Sequence, residues 1–459
     1  VLKLSHKNVL SKVVLIMLLV KKNIQLLTIA SALVFAGSAH AAVGLLSLFE
    51  QAQAQDAKLA QAKAQLQADQ EIINQAKAVL MPSLSGQVAY QQNDFSKSVF
   101  MAAKESLQEK LVLNQSLFDA SAWARYEQAK SLVQQSLLQY QLSEQDLVLR
   151  LSQAYFDVLR AQQLLTLASA QKESTGKQRD KISEGVRVGL TNPVDLLEVQ
   201  ARYDLAESDE INGQNQLSVA NEALSRLIRA ASVPHLKTLT LDTVLPPLAD
   251  KPAVLADQYG DKNLTVKLSE QKLSVSEQEV DAQRAGHYPT LALQGSIANQ
   301  DGVLSSSTSA SPYPYQTNSI GLVLNVPLYA GGMVNSQVRK AESLRTANQE
   351  GLRNSKEQAR LDILTLAKTV SLGQSRLAAL RNAVKSNDAF LAAAEEGNRV
   401  GMKDLVDVLN ARTQLLKAKQ DLANALYDDV MNRLRLKSVQ GQLSKDDLAA
   451  IEAYLRDAS

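Results

Sequence analysis

The chain has 459 residues, no Cys and few aromatics, with Ala, Leu, Gln and Ser abundant, a composition of long helices rather than of an ordinary mixed globule. The absent cysteines exclude disulfides, thiolate metal sites and a lipid-modified N-terminal Cys. The formal charge of +2 hides a leader with five Lys and no acid; beyond Ala41, 44 Lys+Arg stand against 47 Asp+Glu, interleaved rather than clustered, so no nucleic-acid partner is expected.

Residues 1–41 read as export machinery. Lys21-Lys22 form a basic region, Ile24 to Ala36 an apolar run, and Ala39-His40-Ala41 a small-x-small cleavage site, so the mature protein is expected to begin near Ala42. The apolar run is shorter than the roughly 20 residues of a spanning helix. Val1 and the additional apolar run Val13 to Val20 leave the translation start open, with Met17 as one candidate.

From Ser47 to Leu80 the pattern is helical, with no Gly or Pro, and Pro82 stops it. Two alternating runs follow, over about 84–92 and 106–118, with Leu84, Val88 and Tyr90, then Leu107, Leu111, Leu113 and Leu117, each set on one face. Each run is long enough to cross a bilayer as a tilted strand, which takes about 9–11 residues. A Pro-free helix is predicted over about 121–187, and a shorter one from Pro193 to Arg229. Prolines 234, 246, 247 and 252 then mark a non-helical connection with a short β-like run, Leu239 to Leu241.

The second half repeats the plan. A helix is expected near Asn263 to Ala285, strands at about 290–299 and 317–328 around a loop from Ser305 to Tyr315, and a helix over 333–396. A last helix runs from Leu405 to Val439, with a C-terminal segment over 439–459. The two structural repeats are thus 42–262 and 263–459, each with a tip, 185–195 and 397–407. GVRVGLTNPVDLLE at Gly185 aligns with GNRVGMKDLVDVLN at Gly397 at one offset of 212, which pairs Gly189 with Gly401 and Asp195 with Asp407. Each tip interrupts a helix with two glycines and restarts it at a capping residue, Asn192 or Asp404. Pro193 follows at the first helical position, where its missing N–H costs nothing.

Four amphipathic strands cannot close a barrel, and an open sheet edge is not tolerated in lipid, so the chain is expected to oligomerise. Three chains supply twelve strands, an even number within the known range.

Ser116-Leu117-Phe118-Asp119 with Trp123, and above all the stretch Tyr329-Ala330-Gly331-Gly332-Met333-Val334-Asn335-Ser336-Gln337-Val338, closely resemble the TolC family of outer-membrane efflux proteins. The Val-Gly-Leu and Val-Gly-Met tips, Val406-Asp407-Val408-Leu409, and the run Ala418 to Ala425 belong to the same likeness, which covers nearly all of residues 45–455. The resemblance implies a mainly α, mixed fold: a homotrimer in outer-membrane lipid, with a long α-helical barrel in the periplasm continuous with a twelve-stranded transmembrane β-barrel. It also implies a belt, here from residues 230–262 and the segment after Val439. The implied function is an export duct for efflux or type I secretion, working with a periplasmic membrane-fusion adaptor and an inner-membrane transporter, ABC-type or proton-driven.

The resemblance places adaptor docking at Val188, Gly189, Leu190, Val400, Gly401 and Met402, and the periplasmic gate at Asp195, Val194, Asn398, Lys403, Asp407 and Asn410. Asp407 matches the residue lining the narrowest point of the tunnel, and three such carboxylates would attract cations. Four departures stand out: Asn410 where a second acidic ring is often found, Lys403 for the family's gate-holding Arg, Val194 for a hydroxyl residue and Asn398 for a tyrosine. With Val194 unable to accept a hydrogen bond, Asp195 is the expected partner of Lys403. Helix capping is the alternative reading of both Asp195 and Asp407.

No catalytic constellation, cofactor or metal site is expected. His235 and His287, the histidines beyond the leader, sit near no Ser, Asp or ligand cluster, and Gly331-Gly332 lacks the later Lys of a phosphate loop. A structural periplasmic coiled coil and a stand-alone passive porin remain as alternative functions.

Overall fold

The computed structural model describes residues 42–92, 102–305, 310–312 and 315–456. The leader and the Asn93-Asp94 loop lie outside them. The first helical pattern breaks where neither Gly nor Pro stands: α1 (Leu45–Gln55) and α2 (Ala57–Ala78) are separated at Asp56. The Asp56 carboxylate accepts the Leu59 N–H at 2.7 Å, capping α2, and is gripped by both terminal nitrogens of Arg150 at 3.1 Å each. Strands β1 (Ser83–Gln92) and β2 (Ala102–Phe118) follow. Asp119 then caps α3 (Ala120–Arg187), a helix of 68 residues, and α4 (Pro193–Ile228) returns along about half of it.

The connection from 229 to 263 holds the short strand β3 (Thr238–Leu239) and, against expectation, a helix, α5 (Pro252–Tyr259). Pro252 stands at its first turn, where proline favours a helix instead of breaking it. Asn263 caps α6 (Leu264–Arg284). Strand β4 (Thr290–Ser305) is longer than predicted, and β5 (Ala310–Pro312) pairs with its end inside the segment expected to be loop. Strand β6 (Tyr315–Asn325) stops three residues short of expectation. Pro327 has no N–H for the ladder and restricts Val326 before it. Helices α7 (Met333–Arg399), α8 (Leu405–Val439) and α9 (Lys445–Glu452) lead to β7 (Leu455–Arg456).

The main sheet is antiparallel in the order β1–β2–β4–β6, so the repeats meet at β2–β4. Its register aligns Leu84, Leu113, Gly295 and Ile320 in one row. The neighbouring row on the other face is Ser85, Val112, Ser296 and Ser319, with Ser296 and Ser319 hydroxyls 2.9 Å apart. One face is therefore apolar and the other largely polar, yet Leu84, Val88, Ile320 and Leu322 are all more than 60% exposed. Among the described residues the outer edges of β1 and β6 are unpaired, and no helix is long and apolar enough to cross a membrane.

The largest core lies beside the middle of α3. Leu147, Leu151, Tyr155 and Phe156 of α3 meet Leu45 and Leu48 of α1, Leu224 and Ile228 of α4, Leu426 and Tyr427 of α8, and Leu448 of α9. Each fully buried side chain of this kind contributes roughly 1.5–3 kcal/mol. The Tyr155 hydroxyl donates to the Lys237 carbonyl at 2.6 Å, and Phe156 stacks on Tyr427 at 5.7 Å. Here β3 pairs with β7, so the connection between repeats and the C-terminal segment form one layer. Arg381 donates to the Thr243 carbonyl, and Gln374 and Arg433 both donate to that of Pro246, strapping the connection to α7 and α8. At the end of α8, Gly441 adopts φ 68° directly beneath the Lys262 carbonyl. Next to it the Asn263 amide donates to Val439 O at 2.7 Å.

The Asp56–Arg150 contact gives an acid-sensitive joint. Burial pushes the Asp56 carboxyl up, but the Arg150 hydrogen bonds, the Leu59 N–H and the Arg150 charge outweigh it and hold it below the usual value. A lowered folded value means stability that is complete above the unfolded value of about 3.9 and is lost as pH falls through the folded one. Arg150→Leu is expected to cost about 2–3 kcal/mol at neutral pH and to flatten the acid limb of a thermal-unfolding profile of the detergent-solubilised protein.

Candidate functional site at the helix tips

Both tips close their long helix with the same pattern. After α3, the Leu190 N–H donates to Gly185 O at 2.8 Å and the Gly189 N–H to Val186 O at 3.1 Å; after α7, Met402 donates to Gly397 O at 2.8 Å and Gly401 to Asn398 O at 3.1 Å. This is a Schellman motif, whose penultimate position needs a left-handed backbone. Gly189 and Gly401 supply it, with φ 76° and 79°. The pattern extends to charge: Arg187 pairs with Glu184 and Arg399 with Glu396. Gly185 and Gly397 serve by size, since an added Cβ would strike Thr191 or Lys403 of their own turns.

The helices restart on side-chain caps, the Asn192 carboxamide accepting from Val194 N at 3.0 Å and the Asp404 carboxylate from Asp407 N at 2.8 Å. The turns thereby present apolar side chains outward: Leu190 is 84% and Met402 80% exposed, with Val188, Val194, Leu197 and Val400 all more than half exposed. Behind them, Ile182 of α3, Val199 of α4 and Leu409 of α8 form a small core that joins the two hairpins.

Lys403 does not reach Asp195. Its ammonium lies 3.2 Å from the Asp407 carboxylate, four residues along, and no ion pair reaches the exposed Asp195 among the described residues. The turn itself sets this. The Asn398 amide donates to Lys403 O at 3.0 Å, and the Lys403 stem lies against Gly397. Asn398 thus braces the turn through its carboxamide. The Asn410 carboxamide oxygen accepts from Arg202 Nη1 at 3.1 Å, while Arg202 also binds Glu198 at 2.9 Å. Arg412 donates to Ser174 and pairs with Glu395 at 2.6 Å. Sequence reading missed Arg202 and Arg412. Only the four-residue spacing of Glu198 and Arg202 hinted at either.

Residues 48–228 and 255–442 match the family described as outer membrane efflux protein. The chain belongs to that family. The outer membrane protein TolC of Salmonella enteritidis is 31% identical over 421 residues, covering 90% of this chain and 85% of that one. The proteases secretion protein PrtF of Dickeya chrysanthemi is 28% identical, covering 94% and 95%. Among solved structures, the outer membrane protein VceC of Vibrio cholerae superposes with a TM-score of 0.73 at 20% identity, over 86% of this chain and 96% of that one, a likeness of fold. These relatives are channel proteins. As a member of the family the chain is an outer-membrane efflux or secretion channel, trimeric, with a helical tunnel extending into the periplasm. The single chain's unpaired β1 and β6 edges are those that trimerisation closes into the β-barrel. Channels of this family work with inner-membrane pumps and adaptors.

Proposed function

We propose that the two tips are the periplasmic end of the export duct, docking an adaptor on Val188, Gly189, Leu190, Val400, Gly401 and Met402 and narrowing the tunnel at Asp407. The observation that carries the reading is the pair of matching turns, set at the ends of helices of 68 and 67 residues, displaying Leu190 and Met402 to solvent. Large apolar side chains held out on a rigid turn mark a protein-binding surface. Transport energy comes from the pump, ABC-type or proton-driven. The name of PrtF, a proteases secretion protein, supports type I secretion as one use of the duct.

A cysteine-free chain makes the test direct. Leu190→Cys and Met402→Cys, carrying a photoactivatable crosslinker in cells, are expected to capture a periplasmic adaptor, whereas Leu84→Cys on the sheet captures none. Active export with no adapter captured at either tip would overturn the docking surface and favour a stand-alone porin.

A further inference from the structure

The two tips share a backbone and the Glu–Arg pair before the turn, but not the charges that follow it. In the first, Thr191 stands where the second has Lys403, and Asp195 carries no ion pair among the described residues. In the second, Lys403 reaches back across the cap to Asp407 at 3.2 Å, with both side chains a little under half exposed. The Lys403 ammonium is kept there by its surroundings: its carbonyl is held by Asn398, and its stem lies along Gly397, where any side chain would collide with it. Three other charges of these helices are engaged. Asp404 caps α8, Arg412 pairs with Glu395, and Arg202, which occupies the Asn410 oxygen, is balanced by Glu198.

We propose that Lys403 is the residue that sets the ionic preference of the periplasmic entrance, by neutralising Asp407 within each chain. The inference rests on the reading that Asp407 lines the narrow point. A ring of three bare carboxylates would seat a multivalent cation and resist full ionisation; a ring of three carboxylates each with its own ammonium has no net charge to offer. The second position along the same helix face, Asn410, adds no carboxylate. The entrance of this channel is therefore nearly indifferent to the sign of small ions, and a single substitution uncovers a cation site that the sequence of the ring alone would predict to be open.

The test is a charge cycle on the trimer in planar bilayers, read by reversal potential in a salt gradient and by block with hexaamminecobalt(III) added from the periplasmic side. Wild type is expected to show weak block, and Asp407→Asn, which leaves the Lys403 ammoniums unbalanced, weaker block still with a reversal potential shifted toward anion preference. Lys403→Gln should tighten block by about tenfold and shift the reversal potential toward cation preference. Lys403→Arg should behave as wild type, and Lys403→Gln with Asp407→Asn should return to it. Block in Lys403→Gln equal to wild type overturns the proposal. The underlying reading fails separately: if a cationic thiol reagent modifies Asp407→Cys, confirmed by mass, yet leaves conductance unchanged, Asp407 lies off the conduction path. Reduced conductance on modification, with no effect of Lys403→Gln, refutes the role of Lys403 alone.

Discussion

Export is expected to fall to background when Gly189 and Gly401 are both replaced by proline, while the trimer still reaches the outer membrane. Each glycine has φ near 80° and donates its N–H into the Schellman pattern. Proline fixes φ near −65° and has no N–H, so each turn must rebuild, at a cost of about 3 kcal/mol or more. That cost stays local, because the main core lies by the middle of α3 and not at its end. What changes is where Leu190 and Met402 point, and with it the proposed docking surface. Gly→Asn at both sites, which tolerates the left-handed region, should retain most export. Gly→Ala costs about 1–2 kcal/mol per site and falls between. Export assays, membrane level and trimer on semi-native gels separate these outcomes; full export by the double-proline variant would remove the turns from the mechanism.

A second substitution should fail in the opposite way, by losing the protein. Gly441→Val puts a β-branched residue at φ 68°, and its Cβ would stand 2.3 Å from the Lys262 carbonyl oxygen. A backbone atom cannot swing aside as a flexible side chain does. Relief requires parting the end of α8 from the start of α6, which breaks the Asn263 to Val439 bond and leaves the part-buried Val439 carbonyl without its donor. Strain and the orphaned group together cost about 3–5 kcal/mol, a large fraction of ordinary stability. The variant is expected at a small fraction of wild-type membrane level, with normal levels restored in Gly441→Asn only in part, since the close contact remains.

The contrast between the tip glycines and Gly441 shows what the sequence discloses. Gly189 and Gly401 are legible because everything that demands them is local: a helical pattern, a glycine, a capping residue, and a second copy at offset 212. The long helices, both hairpins and the strand faces follow from short-range periodicity in the same way. Gly441 reveals nothing alone, since its constraint is a carbonyl at Lys262. The break at Asp56 is hidden for the same reason, as its partner Arg150 lies 94 residues away. At the tips, the Arg202–Asn410 bond spans 208 residues and cannot be inferred from either neighbourhood. Lys403 is different. The spacing of four to Asp407 is visible in the sequence and is the ordinary distance for a pair along a helix, whereas the expected partner Asp195 came from the resemblance. Local geometry was the better guide there.

Helices α3 and α7 each pass the core without interruption, while their companions change partway: α4 and α8 accompany the tip half, and α2 and α6 the half toward the sheet. A rod of 68 residues is about 100 Å long at 1.5 Å per residue. In mechanical terms, each chain is two drive shafts running through a collar. A torque applied at a tip meets no hinge in the shaft, and the seams where one companion ends and the next begins are the compliant places. Those seams lie between Arg229 and Asn263 and between Gln440 and Ser444, under the straps from Arg381, Gln374 and Arg433. Rotation at a tip is therefore expected to travel along α3 and α7 past the collar, with their companion helices slipping at the seams.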